Sequence, residues 1–298
     1  MKDYHQELRS MQVKYNSNVL EVEGLTNFHP EHIFECGQAF RWNWDGKGYV
    51  GVVADKVVRI IWDGATLYIE NATLKDFDSF WYNYFDLQTN YGEIIDILSK
   101  DPVMKKAVKY GWGIRILNQD PWETLISFII SANNGIKRIK SIIERLSYKF
   151  GQKIIWQDQE YYMFTSVEAL ASATEEELRE CGCGYRASYI QRTAQLVKEG
   201  QINLNDLRNI DYAKAKEHLL KCPGVGPKVA DCILLFSLGK SQAFPVDVWI
   251  KRIMETLYYD EMKVFKDIRK FAENKFGLLA GYAQQYLFYY AREKKIGK

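Results

Sequence analysis

The chain has 298 residues, 47% of them hydrophobic and 26% charged, with a formal net charge of only +2. This balance is typical of a globular protein with a sizeable core and excludes a disordered chain. No apolar run approaches membrane-spanning length, and residues 1–16 are too polar for a secretory signal. We therefore expect an intracellular protein with no membrane partner.

The five cysteines are an odd number without the spacing of a disulfide framework, which fits a reducing compartment. Cys181 and Cys183 invite a metal interpretation, but no second Cys or His pair stands nearby to complete a site. We therefore expect two half-buried thiols at these positions and no metal.

The first third of the chain alternates short runs of aromatic and β-branched residues with tight-turn signals such as Asp45-Gly46 and Asp63-Gly64. This pattern predicts an antiparallel meander with strands at residues 40–44, 49–53, 57–62 and 66–69. One face of that sheet must be buried, and a following helix offers an aromatic face made of Phe77, Phe80, Trp81, Tyr84 and Phe85.

The rest of the chain has helical periodicity. Asp120 and Pro121 predict a helix start, with a capping Asp, Pro at the first helical position and Glu123 three residues after the cap. Further helices are predicted near residues 139–146, 167–180, 186–198, 212–221, 228–238, 248–257 and 280–294. The fold class is therefore α+β, with an N-terminal antiparallel sheet domain (residues 1–115) and a larger all-helical body (residues 116–298).

Residues 137–149 carry five cations against the single acid Glu144. A basic helix face can follow DNA phosphates, but such charge runs are usually solvated surface. Taken alone, this stretch favours the surface interpretation.

A glycine-rich turn, CPGVGP at residues 222–227, separates two predicted helices within residues 212–238. Gly224 and Gly226 permit a hairpin too tight for side chains, and its backbone N–H groups can hold a phosphate together with those of the following helix N-terminus. Turns of this kind are common between helices, so the hairpin alone is weak evidence of function.

Lys228 lies in the first turn of the second helix, where the macrodipole disfavours a cation and favours a neutral, nucleophilic amine. Position alone leaves a nucleophile and a lysine that contacts phosphate or solvent equally open. Asp247 enters the next helix as its N-cap, which is a sufficient structural role. A carboxylate returned towards Lys228 by the intervening helix would also orient the amine and stabilise positive charge on a sugar, which favours the catalytic interpretation.

The order of these elements resembles the helix-hairpin-helix (HhH-GPD) DNA glycosylase superfamily. In that order, a helix is followed by a Pro-Gly-Val-Gly hairpin, Lys228, a second helix and then Pro-Val-Asp. Within the superfamily, the chain is most similar to the 8-oxoguanine DNA glycosylase family. CGQAFRW at residues 36–42 looks like that family's N-terminal signature, and SANNGIKR at residues 131–138 looks like its DNA-probing loop. The likeness spans nearly the whole chain and includes the order of the domains.

The resemblance implies a bifunctional glycosylase and abasic-site lyase of base excision repair that acts as a monomer on damaged double-stranded DNA. Such an enzyme flips 8-oxoguanine, preferably opposite cytosine, out of the duplex. Lys228 would then attack the sugar C1′ with help from Asp247, and the resulting Schiff base would allow β-elimination.

The resemblance also implies a base pocket. The Gly37 carbonyl would accept a hydrogen bond from the N7–H that guanine lacks, Cys232 and Phe288 would cover the two faces of the base, and Gln284 would read its Watson–Crick edge. From the residues alone, Gly37 is a turn glycine, and Cys232 and Phe288 are core residues. Cys232 lies four residues after Lys228, and Phe288 lies four residues after Gln284, so the two members of each pair share a helix face.

For the DNA around the lesion, the resemblance assigns Asn133 to the gap left by the flipped base and Tyr185 to a wedge in the neighbouring stack. Arg138 and Arg186 would contact the orphaned cytosine, whose acceptors suit the guanidinium fork. Without the resemblance, a phosphate contact or a solvated side chain explains either arginine. Further DNA contacts fall on the hairpin and the helices after it, at Gly224, Gly226, Val229 and Trp249.

Three positions depart from the family pattern. Cys222 replaces a larger apolar residue, Trp249 replaces a histidine that touches the DNA backbone, and Gly135 replaces the last asparagine of the probing loop. No cysteine follows Cys232, so the four-cysteine iron–sulfur cluster of some superfamily members cannot form. We expect no cofactor beyond a monovalent cation or phosphate at the hairpin.

Three alternatives remain open at the level of sequence. A glycosylase of the same fold would act on another lesion, such as an oxidised pyrimidine, but the four predicted pocket residues argue against it. A non-catalytic helix-hairpin-helix module would only grip DNA, and Lys228 with Asp247 argues against that. An unrelated helical protein would use the hairpin only to hold helices together.

Overall fold

The computed structural model describes residues 11–258 and 267–296 of the chain. An antiparallel sheet near the N-terminus is followed by a larger helical body, which confirms the predicted α+β class. None of the helices in these two ranges is long and apolar enough to cross a membrane.

Six strands form one antiparallel sheet in the order β1-β2-β6-β5-β4-β3. Their bounds are β1 Gln12–Asn16, β2 Val19–Glu23, β3 Trp42–Trp44, β4 Tyr49–Val53, β5 Lys56–Trp62 and β6 Thr66–Glu70. The last four are the predicted meander, confirmed to within two residues. The first two were not predicted, and they extend the sheet because β2 pairs with β6.

The helices of the described residues follow the predicted periodicity in most of the body. They are α1 Pro30–Glu35, α2 Leu74–Asp76, α3 Tyr82–Tyr84, α4 Tyr91–Leu98, α5 Pro102–Tyr110, α6 Pro121–Ser131, α7 Ile136–Phe150, α8 Val167–Ser172, α9 Glu175–Glu180, α10 Ala187–Lys198, α11 Tyr212–Leu219, α12 Pro227–Phe236, α13 Val248–Leu257, α14 Ile268–Phe276 and α15 Ala280–Lys294. Helices α1, α4, α5 and α14 were not predicted.

Two segments differ from the prediction for identifiable reasons. Residues 167–180 form two helices instead of one, because Thr174 and Glu177 make a capping box that starts α9. The predicted all-helical body also contains a hairpin, β7 Lys153–Trp156 with β8 Gln159–Tyr162. This hairpin covers the outer face of the sheet, where Trp156 and Tyr161 pack against a small valine cluster.

The predicted aromatic face between α2 and α3 packs under the sheet, although the segment Phe77–Trp81 is π-helical. A second core lies in the body, where almost every side chain of α6 and α12 is buried. A third core joins α5 to the C-terminal helices, because α15 packs on α5 and α13, and it includes Cys36. The site described below lies between the second and third of these cores.

A buried carboxylate fixes α12 to its neighbours. The side chain of Asp231 is fully buried and accepts from the Tyr212 hydroxyl at 2.7 Å, from Lys216 Nζ at 2.7 Å and from Arg269 Nε at 3.0 Å. It therefore ties α12 to α11 and α14 by charge as well as by packing. Removing one partner of a buried ion pair is costly, because the other charge is left without compensation.

We expect Asp231→Ala to lower the free energy of unfolding by about 3 kcal/mol, because two cations lose their buried acceptor. Urea unfolding followed by circular dichroism measures the change. The exposed Asp206 provides a control, since Asp206→Ala is expected to change stability by less than about 0.5 kcal/mol. Equal stability of the two variants would contradict a stabilising role for Asp231.

Candidate active site

Gly37 lies in a turn after α1 that hydrogen bonds hold on both sides. The backbone of Gly37 has φ +85°, which favours glycine, and a Cβ there would lie 3.2 Å from Phe288 Cε1. On one side, Gln285 Nε2 donates to the Cys36 carbonyl at 2.8 Å. On the other, the buried Gln38 amide donates to the carbonyls of Ile33 and Arg115 at 2.9 and 2.8 Å. The turn is therefore held in place on both sides, and its left-handed backbone together with the nearby Phe288 ring favours glycine at this position.

Lys228 occupies the first turn of α12, as predicted, and its side chain is half-buried. Gly226 is the N-cap of this helix, and within the described ranges no side chain caps it. Lys228 Nζ lies 5.2 Å from the centroid of the Phe128 ring, a cation–π distance. The amine is thus held at a positive helix end against an aromatic surface.

Asp247 is the N-cap of α13, and its side chain accepts from the backbone N–H of Ile250 at 2.7 Å. The capping role expected from the sequence is therefore confirmed. The same carboxylate lines the pocket that contains Lys228. Asp247 therefore caps α13 and also contributes to the wall of the pocket.

A single pocket collects the catalytic and base-recognition residues that the sequence predicted. It is lined by Cys36, Gly37, Phe128, Lys228, Cys232, Phe236, Pro245, Asp247, Gln284, Gln285 and Phe288. These residues come from the Gly37 turn, α6, α12, the start of α13 and α15. The cavity volume is about 40 Å³, room for one or two water molecules.

The polar groups of the pocket wall are poised for a ligand. Gln284 is buried, and its Oε1 has no hydrogen-bond partner among the described residues. Such an orphaned acceptor is expensive unless a bound molecule supplies a donor. Burial raises the pKa of the Cys232 thiol to about 11, although the Lys228 charge opposes this rise. Cys232 therefore presents a neutral, soft surface to the pocket.

Several pocket residues were not predicted from the sequence. Phe128 forms the surface under the lysine and stacks on Phe236 at 5.5 Å. Pro245 and Gln285 complete the wall. Phe128 follows the apolar stripe of its helix, so its pattern gives no signal that separates it from core. Gln285 carried a weak signal, since it is a polar residue inside an aromatic-rich helix.

The probing loop follows α6. Asn133 is exposed and has a left-handed backbone, with φ +52°, so its side chain projects from the tip of the loop. Lys137 and Arg138 begin α7 and are exposed. The other cations of the basic stretch are bonded within the protein: Lys140 to the Trp42 carbonyl, Arg145 to the Cys181 carbonyl and Lys149 to Glu180. Within the described ranges, Lys137 and Arg138 are the two cations of this stretch that have no side-chain hydrogen bond or ion pair.

Tyr185 is 58% exposed, as a wedge requires, and lies edge-on to Tyr189. Arg186 differs from its expected position, because it is buried and its Nε donates to the Ala132 carbonyl of the probing loop at 3.1 Å. Its guanidinium stacks on Tyr185 at 4.4 Å. In this structure Arg186 joins the loop to the wedge. A contact with cytosine stays a prediction and requires it to use another donor or to move.

The hairpin lies beside the wedge. Gly224 has φ +81°, and a Cβ there would approach Tyr189 to 3.0 Å, whereas Gly226 is exposed with nothing near its Cβ position. Val229 is buried, so only its backbone is available to DNA. Trp249 packs against the C-terminal core and lies 5.7 Å from the Arg252 guanidinium. Its DNA contact stays a prediction.

Among the described residues, no group of three or more His, Cys, Asp or Glu side chains is arranged to hold a metal ion. Cys181 and Cys183 are both buried thiols, more deeply than expected.

Comparison with known proteins agrees with this geometry. The family described as 8-oxoguanine DNA glycosylase, N-terminal domain, matches residues 22–125, and the family described as HhH-GPD superfamily base excision DNA repair protein matches residues 126–276. Together they span both parts of the fold. The chain therefore belongs to the helix-hairpin-helix superfamily of base excision DNA repair proteins.

Individual relatives narrow the class. The N-glycosylase/DNA lyase of Saccharomyces cerevisiae is 32% identical over 89% of this chain and 83% of its own length. A probable N-glycosylase/DNA lyase of Methanothermobacter thermautotrophicus is 35% identical over 71% of this chain and 74% of its own length. The solved Clostridium acetobutylicum 8-oxoguanine glycosylase/lyase, in complex with double-stranded DNA containing cytosine opposite to 8-oxoguanine, is 44% identical. It superimposes with a TM-score of 0.92 over 96% of this chain and 99% of that one. Within the superfamily, the chain is a member of the 8-oxoguanine DNA glycosylase family.

The burial of the thiols predicts their reactivity. All five cysteines are buried, and burial raises the pKa of Cys36, Cys222 and Cys232 to about 11 and that of Cys183 to about 12. At pH 8 these groups are thiols, and the thiolate that reacts forms only as the pH approaches the raised pKa. We expect Ellman's reagent to label none of them within minutes in the native protein and all five in denaturant. Rapid native labelling at pH 8 would contradict this assignment.

Proposed function

We propose that this protein is a bifunctional DNA glycosylase and lyase that excises 8-oxoguanine from double-stranded DNA. The observation that carries the proposal is one pocket lined by a lysine, a carboxylate, a glutamine with an unpaired amide oxygen and the Gly37 turn. Relatives that cover most of the chain are described as N-glycosylase/DNA lyases, which supports the same chemistry. Because one chain builds the whole pocket, we infer that the protein acts as a monomer. A role in DNA repair supports an intracellular location.

Recognition follows from hydrogen-bond chemistry. 8-Oxoguanine carries a hydrogen on N7, which can donate to the Gly37 carbonyl, whereas the N7 of guanine is an acceptor and would be repelled. The Gln284 Oε1 without a partner can accept from the Watson–Crick edge of the same base. A site that pairs with donors of the lesion rejects an analogue that lacks them, because its buried acceptors then stay unpaired.

The pocket must open before a base can enter. A volume of about 40 Å³ is smaller than a purine, and the Phe288 ring lies against Gly37. Seating a flipped base between Cys232 and Phe288 therefore requires the Phe288 ring to move away from the glycine. Part of the unstacking cost of base flipping is offset by stacking on this ring.

In the chemical step, the nitrogen lone pair of Lys228 forms a bond to the sugar C1′ as the bond from C1′ to the base nitrogen breaks. The base leaves with the bonding electron pair and takes up a proton. The Asp247 carboxylate stabilises the positive charge that builds on the sugar. The nitrogen then loses a proton, the C1′–O4′ bond breaks and O4′ takes up a proton, which leaves a protonated Schiff base between C1′ and Lys228. Removal of a C2′ proton forms a C2′–C3′ double bond, and the 3′ phosphate leaves with the electrons of the C3′–O bond.

We expect Lys228→Gln to lower excision of 8-oxoguanine opposite cytosine by about 10³-fold or more, because no other group replaces the nucleophile. Borohydride should trap a covalent complex with the wild type and none with this variant. The exposed Lys198 at the end of α10 supplies a control, since Lys198→Gln is expected to retain both activities. Tight binding without any trapped complex in the wild type would remove the lyase assignment in favour of a monofunctional glycosylase or a binding module.

For Asp247 the informative change is to asparagine, which still caps α13 but carries no charge. We expect Asp247→Asn to slow the single-turnover excision rate by about 10²-fold while the melting temperature stays close to that of the wild type. A variant that is as fast as the wild type would show that this carboxylate only caps the helix.

We further propose that Arg138 gives a preference for lesions opposite cytosine, because it is an exposed guanidinium beside the Asn133 tip. Arg138→Ala is expected to reduce the ratio of excision rates opposite cytosine and opposite adenine by about tenfold. Lys137→Ala, its exposed neighbour, is expected to weaken binding in a salt-dependent way without changing that ratio. Equal effects of both variants on the ratio would assign Arg138 to phosphate contact.

A further inference from the structure

Arg292 belongs to the same face of α15 as two pocket residues. It follows Phe288 by four residues and Gln284 by eight, so the three side chains form one row along the helix. Its guanidinium carbon lies 5.6 Å from the centroid of the Phe288 ring, and its side chain is only 21% exposed. Arg292 thus stands directly behind the wall on which a base would stack.

Two of its nitrogens are bonded. Nη2 donates to the Glu35 carbonyl at 2.5 Å, and Nε donates to the Glu293 carboxylate at 2.9 Å. Glu35 ends α1, two residues before Gly37, so the first bond holds the Gly37 turn against α15. Arg292 therefore links the glycine turn to the helix that carries the amide and the ring.

The third nitrogen is different. Nη1 is buried, has no hydrogen-bond partner among the described residues, and lies 3.6 Å from the point that a Cβ on Gly37 would occupy. Phe288 Cε1 lies 3.2 Å from that same point. When the ring moves off Gly37 to stack on a base, this N–H faces the space that the ring leaves. Buried donors are almost always paired, so a partner in the occupied pocket is expected.

The oxidised purine supplies such an acceptor. Its C8 carbonyl is bonded next to N7, the atom that would donate to Gly37, whereas guanine carries only a hydrogen at C8. An N–H beside Gly37 is therefore suited to the one oxygen that distinguishes the lesion from the normal base. A charged donor makes a shorter and stronger hydrogen bond than a neutral one.

We propose that Arg292 is a specificity-determining residue of the base pocket, which holds the Gly37 turn and donates from Nη1 to the C8 carbonyl oxygen of the seated base. This inference rests on the proposed function of the pocket. The Gly37 carbonyl would then recognise the N7–H of the lesion, and Arg292 would recognise its C8 oxygen.

The test compares two duplexes, one with 8-oxoguanine opposite cytosine and one with a preformed abasic site, which has no base to seat. Arg292→Met keeps the apolar stem and removes every donor, Arg292→Lys keeps the charge, and Lys294→Met removes a nearby exposed charge from the same helix as a control. We expect Arg292→Met to slow single-turnover excision of 8-oxoguanine about 30-fold and to cleave the abasic site within twofold of the wild type. Arg292→Lys should recover part of the loss, and Lys294→Met should match the wild type.

A binding measurement separates recognition from catalysis. In the Lys228→Gln background, the ratio of Kd for the guanine duplex to Kd for the 8-oxoguanine duplex should fall about tenfold when Arg292→Met is added. Unchanged excision, or an unchanged Kd ratio, would overturn the proposal. An equal loss on the abasic duplex would show that Arg292 only supports the fold. If the wild type cleaves the abasic duplex but not the 8-oxoguanine duplex, the proposed substrate fails first and takes this inference with it.

Discussion

The hydrogen bond from the Gln285 amide to the Cys36 carbonyl joins residues 249 positions apart, and the shape of the pocket depends on it. Cys36 precedes the glycine turn, and Gln285 lies on the helix that carries Gln284 and Phe288. The bond therefore sets the distance between the backbone that would read N7–H and the groups that would hold the rest of the base. Gln285 thus ties the glycine turn to this helix, while the unpaired Gln284 Oε1 is left for a ligand.

The chemical half of the site rests on α12, which carries two charged side chains with different surroundings. The start of the helix presents Lys228 to the pocket, while Asp231, three residues further on, is fully buried and bonded to two cations and a tyrosine. The buried network resists rotation of the helix, so Lys228 keeps its place in the pocket that Asp247 also lines. The buried charges that stabilise the packing of α12 thus also fix the orientation of the helix.

How far the sequence predicts this structure differs between elements. The start of α6 was predictable because Asp120 caps the helix and Pro121 takes its first position, which are effects of neighbouring residues. Helix α15 was predictable because its helical pattern continues over 15 residues. The β7-β8 hairpin was missed because its turn, Gln157-Asp158, has left-handed backbones without the usual Asn-Gly signal. At the site, residues four apart on one helix were predictable as pairs. Only the family resemblance predicted that Gly37, α12 and α15 meet in one pocket. Phe128 and Arg292 were missed because contacts between segments far apart in the sequence produce no periodic pattern.

We expect the amine at the start of α12 to react with the sugar of the base held against the Gly37 turn, and the position of the covalent bond decides whether it does. The wild-type protein is incubated with a duplex that contains one 8-oxoguanine opposite cytosine, reduced with borohydride, digested with protease and nuclease, and mapped by mass spectrometry. One sugar adduct is expected, on the peptide that contains Lys228. An adduct on another lysine, or on the N-terminal amine, would rule out Lys228 as the nucleophile.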